Sequence, residues 1–267
     1  MMDRRRFLAM GSAAAAVTAV GGAIGIEEYR LAQSRHSGWA VGKGRPAGLG
    51  AMNIVWRAQT TQMIAALTFD DGPDPRYTPK TLDILDKYNI PGTFFLQGKH
   101  VSTQPELAKN IDARHALGNH SWSHADLSNA TADQARDELT RTRDIIQDVT
   151  GRVPVVFRPP YGRFSGALTM IAAGMNYDMI LWSDNADPRE PWRDIANKLG
   201  RRVRAGSIVL AHDGGTLPND SVLKALPIVI EQAHDRGIEF VTVPQLLSAM
   251  RSDQAGGNLD TTQPEEA

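Results

Sequence analysis

Two adjacent carboxylates, Asp70 and Asp71, follow the apolar run Ile64–Phe69 and precede the turn-forming pair Gly72-Pro73. Two carboxylates held side by side repel each other and are expected to take different roles. One can bind a cation while the other takes a proton, and these residues alone leave open which is which. A solvated turn is the plainer interpretation, because Asp, Gly and Pro are common turn formers.

Two histidines, His120 and His124, lie four positions apart after another strand-like segment. One helical turn or a compact loop would place both imidazoles on one side. That arrangement suits Zn²⁺ or a similar ion, whereas a surface or capping role fits the pair alone equally well. The remaining histidines are predicted to be structural: His36, His100, His115 and His234.

Three further polar positions follow later apolar runs. Arg158 comes directly after Val153–Phe157, and the two prolines behind it stiffen the backbone. A guanidinium held in this way can bind and orient a carboxylate. His212 follows a later run and is placed to donate or accept a proton. A carboxylate after a third run, Asp184 or Asp187, could keep that imidazole protonated, and the choice between them stays open.

The elements that must position these side chains alternate between strand-like and helical patterns from Ile64 onward. One helix is predicted to begin after Thr131 as N-cap and to end at Gly151. This order predicts an α/β protein with a parallel sheet, and roughly seven β–α units favour a closed or nearly closed barrel. Functional residues should then lie just after the carboxyl ends of the strands, where all of these side chains fall.

The composition is that of a globular protein and excludes several kinds of site. The 267 residues are 42% hydrophobic and 22% charged, with a net charge of −1 and no cysteine. Such a chain can bury a sizeable core and has no basic field for binding nucleic acid. Disulfides, cysteine zinc sites and a cysteine nucleophile are excluded, so any metal must be held by histidines and carboxylates.

The two ends of the chain are predicted to lie outside the fold. In residues 1–26, Arg4-Arg5-Arg6-Phe7-Leu8 precedes an uncharged Ala/Gly-rich run, a pattern typical of export signals. The order resembles the twin-arginine signals of bacteria, and a retained membrane anchor is the alternative. Residues 27–60 are predicted to be a spacer, and residues 252–267 a disordered acidic tail.

In combination and order, these motifs resemble those of the NodB-type polysaccharide deacetylases, carbohydrate esterase family 4. The matching segments are Thr68-Phe69-Asp70-Asp71-Gly72-Pro73, His120-Ser121-Trp122-Ser123-His124, Arg158-Pro159-Pro160-Tyr161 and Leu210-Ala211-His212. The resemblance implies a distorted, incomplete (β/α) barrel for the catalytic domain, which we place at residues 61–251.

The resemblance also implies a metal site. Asp71, His120 and His124 would be the ligands, usually for zinc. Two histidines and one aspartate are also compatible with Co²⁺ or another divalent ion.

The resemblance implies the remaining catalytic roles as well. Asp70 would be the general base, oriented by Arg158, and His212 would be the general acid. No G-x-S-x-G nucleophile is needed for this chemistry.

Around the reacting group, the resemblance assigns the oxyanion to the backbone near Tyr161 and the acetyl-methyl pocket to Trp182 and Leu210. The family commonly has Asp-x-x-Asp-Trp in its fourth motif. Here Asp184-Asn185-Ala186-Asp187 is followed by Pro188, and the spacing from the preceding tryptophan is one residue short.

The expected function is therefore export followed by hydrolysis of N-acetyl groups on an amino-sugar glycan of the peptidoglycan or chitin type, releasing acetate. An acetylxylan esterase could use the same residues, and oxygen-activating iron enzymes share the ligand set. A non-catalytic protein that binds cell-wall glycans is a third alternative. The paired base Asp70 and acid His212 favour hydrolysis over oxidation.

Overall fold

The structure is a computed structural model of the chain and describes residues 52–257. The predicted export segment at residues 1–26 lies outside the described residues, as do most of the predicted spacer and tail. Within the described part, no helix combines the length and apolar character needed to cross a bilayer.

The strands form one curled sheet in which paired strands run parallel. In chain order they are β1 (Ile54–Val55), β2 (Ile64–Asp70), β3 (Thr93–Leu96), β4 (Ala116–Asn119), β5 (Val156–Phe157), β6 (Asp178–Ile180), β7 (Asp184–Asn185), β8 (Ile208–His212) and β9 (Glu239–Phe240). Their order in the sheet is β1-β6-β5-β4-β3-β2-β8-β7, with β9 paired to β2.

Helices alternate with these strands as the sequence predicts. They are α1 (Thr78–Tyr88), α2 (Gly98–Thr103), α3 (Pro105–Asp112), α4 (Ala132–Thr150), α5 (Gly166–Gly174), α6 (Trp192–Arg202), α7 (Asp220–His234) and α8 (Val243–Gly256). The predicted limits of α4 are confirmed, because Thr131 forms a capping box with Gln134 and Gly151 closes the helix at a φ of 74°.

The barrel is incomplete, as expected. The end strands β1 and β7 are not paired with each other among residues 52–257. The predicted α/β architecture, a distorted (β/α) barrel, is confirmed.

Alternation along the strands separates the core from the site. Along β2, Leu67 and Phe69 face the helices, where Phe69 stacks on Phe94 with ring centroids 4.9 Å apart. Ala66 belongs to the separate inner apolar cluster of the barrel. Thr68 and Asp70 share its face but lie nearer the carboxyl end of the strand. The apolar packing therefore fixes a polar mouth at one end of the barrel.

Two predicted boundaries differ from the structure. Strand β1 lies within the predicted spacer and pairs with β6, but two residues are too short to show a strand period. Helix α8 runs into the predicted acidic tail, where the Asp253 carboxylate accepts hydrogen bonds from Thr60 Oγ1 at 2.7 Å and Thr61 N at 2.8 Å. These contacts tie the segment before β2 to the last helix.

Candidate active site

The two adjacent carboxylates diverge at the end of β2. Asp70 is the last residue of that strand, whereas Asp71 has a φ of 73°, in the left-handed region. Gly72 follows in the turn. A Cβ at this position would lie 2.4 Å from Asp213 Oδ2. Only glycine permits this close approach of the Asp213 carboxyl group to the backbone.

Asp71, His120 and His124 bring three potential metal ligands together. One ligand atom from each residue lies within 4.8 Å of the others. Asp71 Oδ1 is 3.2 Å from His124 Nε2 and 3.6 Å from His120 Nε2. Burial alone would raise the pKa of Asp71, but the two imidazoles and a hydrogen bond from Gln97 hold that pKa below its ordinary value. This donor set can hold a divalent ion.

The backbone fixes the tautomer of His120. Its Nδ1 lies 2.8 Å from the carbonyl oxygen of Arg158. Since a carbonyl oxygen only accepts, Nδ1 carries the proton and Nε2 faces Asp71 with its lone pair. Metal-bound histidines usually donate their other ring N–H in this way, so the ring is prepared for a metal.

A compact loop, not a helical turn, carries the histidine pair. Its backbone has positive φ values of 64° at Ser121 and 60° at His124. Glu138 on α4 fastens the loop by accepting hydrogen bonds from the N–H groups of Trp122 at 2.8 Å and Ser123 at 2.9 Å. One carboxylate on a neighbouring helix thus holds the segment between the two imidazoles.

Arg158 is completely buried and binds Asp70. Its Nη1 donates to Asp70 Oδ1 at 2.7 Å and to Thr68 Oγ1 at 2.8 Å, and Nε and Nη2 donate to the carbonyls of Ile180 and Leu181, each at 3.0 Å. Burial lowers the pKa of the Arg158 guanidinium, and the Asp70 carboxylate opposes that shift. The contact expected between these two residues is present, and it fixes the direction of the Asp70 side chain.

His212 ends β8 directly beside Asp70 in the sheet register. Both side chains therefore project from neighbouring strands at the mouth of the barrel. Among residues 52–257, the buried Nδ1 of His212 has no hydrogen-bond partner. Asp187, one of its two predicted supports, instead accepts a hydrogen bond from Arg189 Nε at 2.9 Å.

Asp184, the other predicted support, also lies in different contacts. Its buried carboxylate accepts hydrogen bonds from Arg57 at 3.3 Å, Ser207 at 3.1 Å and Arg202 at 3.2 Å. Within the described residues, no hydrogen bond or ion pair joins either carboxylate to His212, so the expectation of such a contact is corrected. The reason is alternation along β7, which turns Asp184 toward α6 and away from the mouth.

The predicted substrate-facing residues lie around the mouth. Tyr161, 60% exposed and at a φ of 59°, approaches the His124 ring edge-on at 4.6 Å between centroids. Trp182 covers Gly162, where a Cβ would lie 2.8 Å from the indole. Leu210 is a buried residue of β8, two positions before His212. These residues form an apolar margin beside the polar cluster.

Two side chains that the sequence analysis did not select hold Asp71. Gln97 Nε2 donates to Asp71 Oδ1 at 2.8 Å, and His100 Nδ1 lies 2.8 Å from the Asp71 carbonyl oxygen, to which it donates. Gln97 directly follows β3, so its position at a strand end could have identified it. His100 was predicted to be structural and lies inside α2, where no strand-end signal marks it.

Asp213 is a third residue near the site that the sequence analysis did not select. It is completely buried, and the Thr78 hydroxyl donates to its carboxyl group. Burial raises the pKa of Asp213 to about 8, the Thr78 hydrogen bond opposes the shift, and the charges of Asp71 and Asp70 add to it. Its protonated form is therefore favoured at neutral pH. Its position directly after a strand-end histidine was the available signal.

Known proteins share this sequence pattern. Residues 57–180 match the model of the polysaccharide deacetylase family. A peptidoglycan-N-acetylglucosamine deacetylase of Bacillus cereus is 34% identical over 200 residues, covering 73% of this chain and 92% of the relative. A chitooligosaccharide deacetylase of Bradyrhizobium sp. is 35% identical over 196 residues, covering 67% and 89%.

Known proteins share the fold as well. A family 4 acetyl xylan esterase from Clostridium thermocellum, solved in complex with a cobalt ion, has a TM-score of 0.64 and 34% sequence identity to this chain. The similarity covers 69% of this chain and 90% of the esterase. Both comparisons extend over most of the relatives' own lengths.

Proposed function

The chain belongs to the polysaccharide deacetylase family, carbohydrate esterase family 4, and is a hydrolase; we propose that it removes N-acetyl groups from an amino-sugar glycan of the peptidoglycan or chitin type. The observation that carries this proposal is one constellation at the mouth of the barrel. Asp71, His120 and His124 form a metal-binding cluster. The Asp70–Arg158 ion pair lies beside this cluster, and His212 ends the next strand.

Asp71 Oδ1 and the Nε2 atoms of His120 and His124 would hold the metal. We propose zinc, with Co²⁺ or another divalent ion as the alternative. The chemistry that a bound ion supplies is Lewis acidity, which lowers the pKa of water and polarises the acetyl carbonyl. The hydrogen bond from His120 Nδ1 to the Arg158 carbonyl supports this assignment, since it leaves Nε2 unprotonated.

Asp70 is proposed to take the proton of the attacking water. Its Oδ1 is bound by Arg158, while its Oδ2 faces the cluster at 3.7 Å from His120 Nε2. Because Arg158 has three further acceptors, its guanidinium cannot turn with the carboxylate and keeps Oδ2 directed into the site.

His212 is proposed to protonate the departing amine, which is otherwise a very poor leaving group. The adjacent strands of Asp70 and His212 allow one substrate to reach both. Trp182 and Leu210 would line the pocket for the acetyl methyl group. Backbone N–H groups near Tyr161 would stabilise the oxyanion of the tetrahedral intermediate.

The direct test measures acetate released by the protein lacking residues 1–26, with added zinc and with a chelated control. We expect metal-dependent release from peptidoglycan or chitooligosaccharides. Asp70→Asn, with zinc still bound, provides the inactive reference. Zinc-loaded wild-type protein that bound glycan without releasing acetate would overturn the proposal and favour a binding role.

An O-acetyl esterase is the second candidate, because the acetyl xylan esterase is as similar in sequence as the amide-cleaving relatives. Acetylated xylan belongs in the same assay for this reason. The structural difference concerns the leaving group, since an alcohol needs less help from His212 than an amine does. Faster turnover of xylan than of either N-acetylated glycan would select the esterase.

We also propose that residues 1–26 direct export and that the catalytic domain acts on glycan outside the cytoplasm, either released or still attached to the membrane. Lysine replacements of Arg4 and Arg5 together should retain the protein in the cytoplasm. Arg6→Lys is the matched control, because the third position of the Arg-Arg-x-Phe-Leu order is variable. Normal export of the double variant would contradict the signal assignment.

A further inference from the structure

Strand β7 directs its two side chains to opposite faces of the sheet. Asn185 pairs in register with Leu210, and Asp184 reaches Arg202 on α6. Because successive side chains alternate, Asn185 projects to the inner face, which also carries Leu210 and, two residues later, His212. Asn185 and His212 therefore occupy successive inward positions on adjacent strands.

Two atoms on this face are buried without a partner. Asn185 Oδ1 and His212 Nδ1 have no hydrogen-bond partner among residues 52–257. Buried polar atoms are normally paired, since an unmade hydrogen bond costs stability. The atoms are chemically complementary, because an amide oxygen accepts and a protonated ring nitrogen donates.

Asn185 also borders a cavity between β7 and α6. This cavity has a volume of about 210 Å³, and its lining includes Trp182, Asp184, Lys198 and Arg202. Catalytic hydrogen bonds in ligand-free structures are often open and tighten when substrate binds.

We infer that Asn185 is a positioning residue for His212, whose Nδ1–H its amide oxygen accepts in the working enzyme. This contact holds the imidazole with Nε2 toward the departing amine. The inference rests on the proposed function for the acid role of His212, but the hydrogen bond itself can be observed without turnover. It also gives His212 a hydrogen-bond acceptor in place of Asp184 and Asp187, which bind arginines.

The kinetic test compares Asn185→Leu, which keeps the size but removes the acceptor, with Asn185→Asp, which keeps an acceptor oxygen. We expect Asn185→Leu to lower kcat roughly tenfold or more, as loss of one catalytic proton contact does, with KM and zinc content unchanged. Asn185→Asp should restore kcat to near the wild-type value. Lys198→Ala, which alters the same cavity, is the control expected to keep wild-type kcat. Wild-type kcat in Asn185→Leu, or equal losses in the leucine and aspartate variants, would overturn the inference.

A second measurement separates this inference from the proposed function. Nitrogen-15 NMR of the zinc-loaded full chain reports the His212 tautomer, with the resonance assigned by its loss in His212→Gln. We expect a proton on Nδ1 in the wild type, in slow exchange with water, and faster exchange in Asn185→Leu. If that pattern is present but no acetate is released, the proposed function fails and the positioning contact stands. An active wild type with an unprotonated or unprotected Nδ1 would refute the contact alone.

Discussion

Two equally buried histidines flank β4, and their chemistry is opposite. His115 precedes the strand and His120 follows it, each 2% exposed. His115 packs against Phe94, and its Nδ1 accepts the N–H of Gly92 at 3.1 Å. His120 Nδ1 instead donates to the carbonyl of Arg158 at 2.8 Å.

The difference shows that the backbone partner decides what a buried histidine can do. An N–H donated to Nδ1 leaves the proton of a neutral ring on Nε2, which excludes that atom as a metal ligand. A carbonyl at Nδ1 leaves Nε2 bare. Burial lowers the pKa of His115 to about 4, with the Asp86 charge opposing, so its ring stays neutral at neutral pH.

Separate substitutions of His120 and His115 should give the largest difference in zinc affinity. His120→Ala removes a proposed ligand, so acetate release should disappear. Zinc affinity should fall by more than the roughly 10- to 100-fold that is lost when a residue hydrogen-bonded to a metal ligand is replaced. His115→Gln should keep the zinc affinity, since this ring lies at the other end of the strand. Competition with a chromogenic chelator measures both. Equal losses in the two variants would erase the distinction.

The second prediction separates binding from proton transfer within the mouth. Asp70→Asn preserves shape and leaves the three proposed ligands in place, so zinc content should be unchanged. Turnover should fall on the order of 10²- to 10⁴-fold, because the base is lost. Asp83→Asn, on the exposed side of α1, is the control for a neutralised carboxylate. Loss of zinc from Asp70→Asn would mean that the base and ligand roles of Asp70 and Asp71 are reversed.

The third prediction concerns pH and the buried His115. Its pKa is about 4 in the folded protein against an ordinary 6.5, so between these values the unfolded chain binds a proton that the native ring does not. His115 should therefore contribute less to the free energy of unfolding as pH decreases through this window, whereas Asp213, whose pKa is raised to about 8, contributes in the opposite direction. The His115 contribution falls by up to about 3 kcal/mol, since one unit of pKa difference corresponds to about 1.4 kcal/mol.

Urea denaturation of chelator-treated wild type and His115→Gln at pH 7, 6 and 5 isolates this contribution as the difference between their free energies of unfolding, without interference from metal loss. The wild-type value minus the His115→Gln value should decrease as pH falls, while the difference between wild type and His234→Gln, at an exposed position on α7, should not change with pH. A difference between wild type and His115→Gln that stays constant with pH would contradict the lowered pKa of His115.

The sequence was sufficient for the parts of the site that depend on topology. Asp70, His120, Arg158 and His212 each follow or end a strand, and the carboxyl ends of parallel strands meet at one mouth. The alternating order of strands and helices predicted that sheet before any contact was known. The roles given to the four side chains remain predictions.

What the sequence could not provide is the direction of side chains in very short elements. Strand β7 has two residues, so no alternation is visible, and only the register with β8 shows that Asp184 faces outward and Asn185 inward. The tautomers of His115 and His120 likewise depend on backbone groups from other segments. These partners are distant in sequence and carry no residue-type signal.

The prediction with the smallest expected effect concerns Asp71. It tests whether this ligand, like His120, is oriented by a hydrogen bond to its side chain. Gln97 donates to Asp71 Oδ1 at 2.8 Å, so Gln97→Leu should remove an orienting contact while preserving size. Zinc affinity should fall about tenfold, the lower end of the range for residues that hydrogen-bond to a metal ligand. The kcat at saturating zinc should be nearly unchanged. Gln147→Leu, exposed on α4, is the matched control. An unchanged affinity in Gln97→Leu would show that the left-handed backbone of Asp71 and the hydrogen bond from His100 suffice to hold the carboxylate. Of the two ligands, only His120 would then depend on a hydrogen bond to its side chain for its orientation.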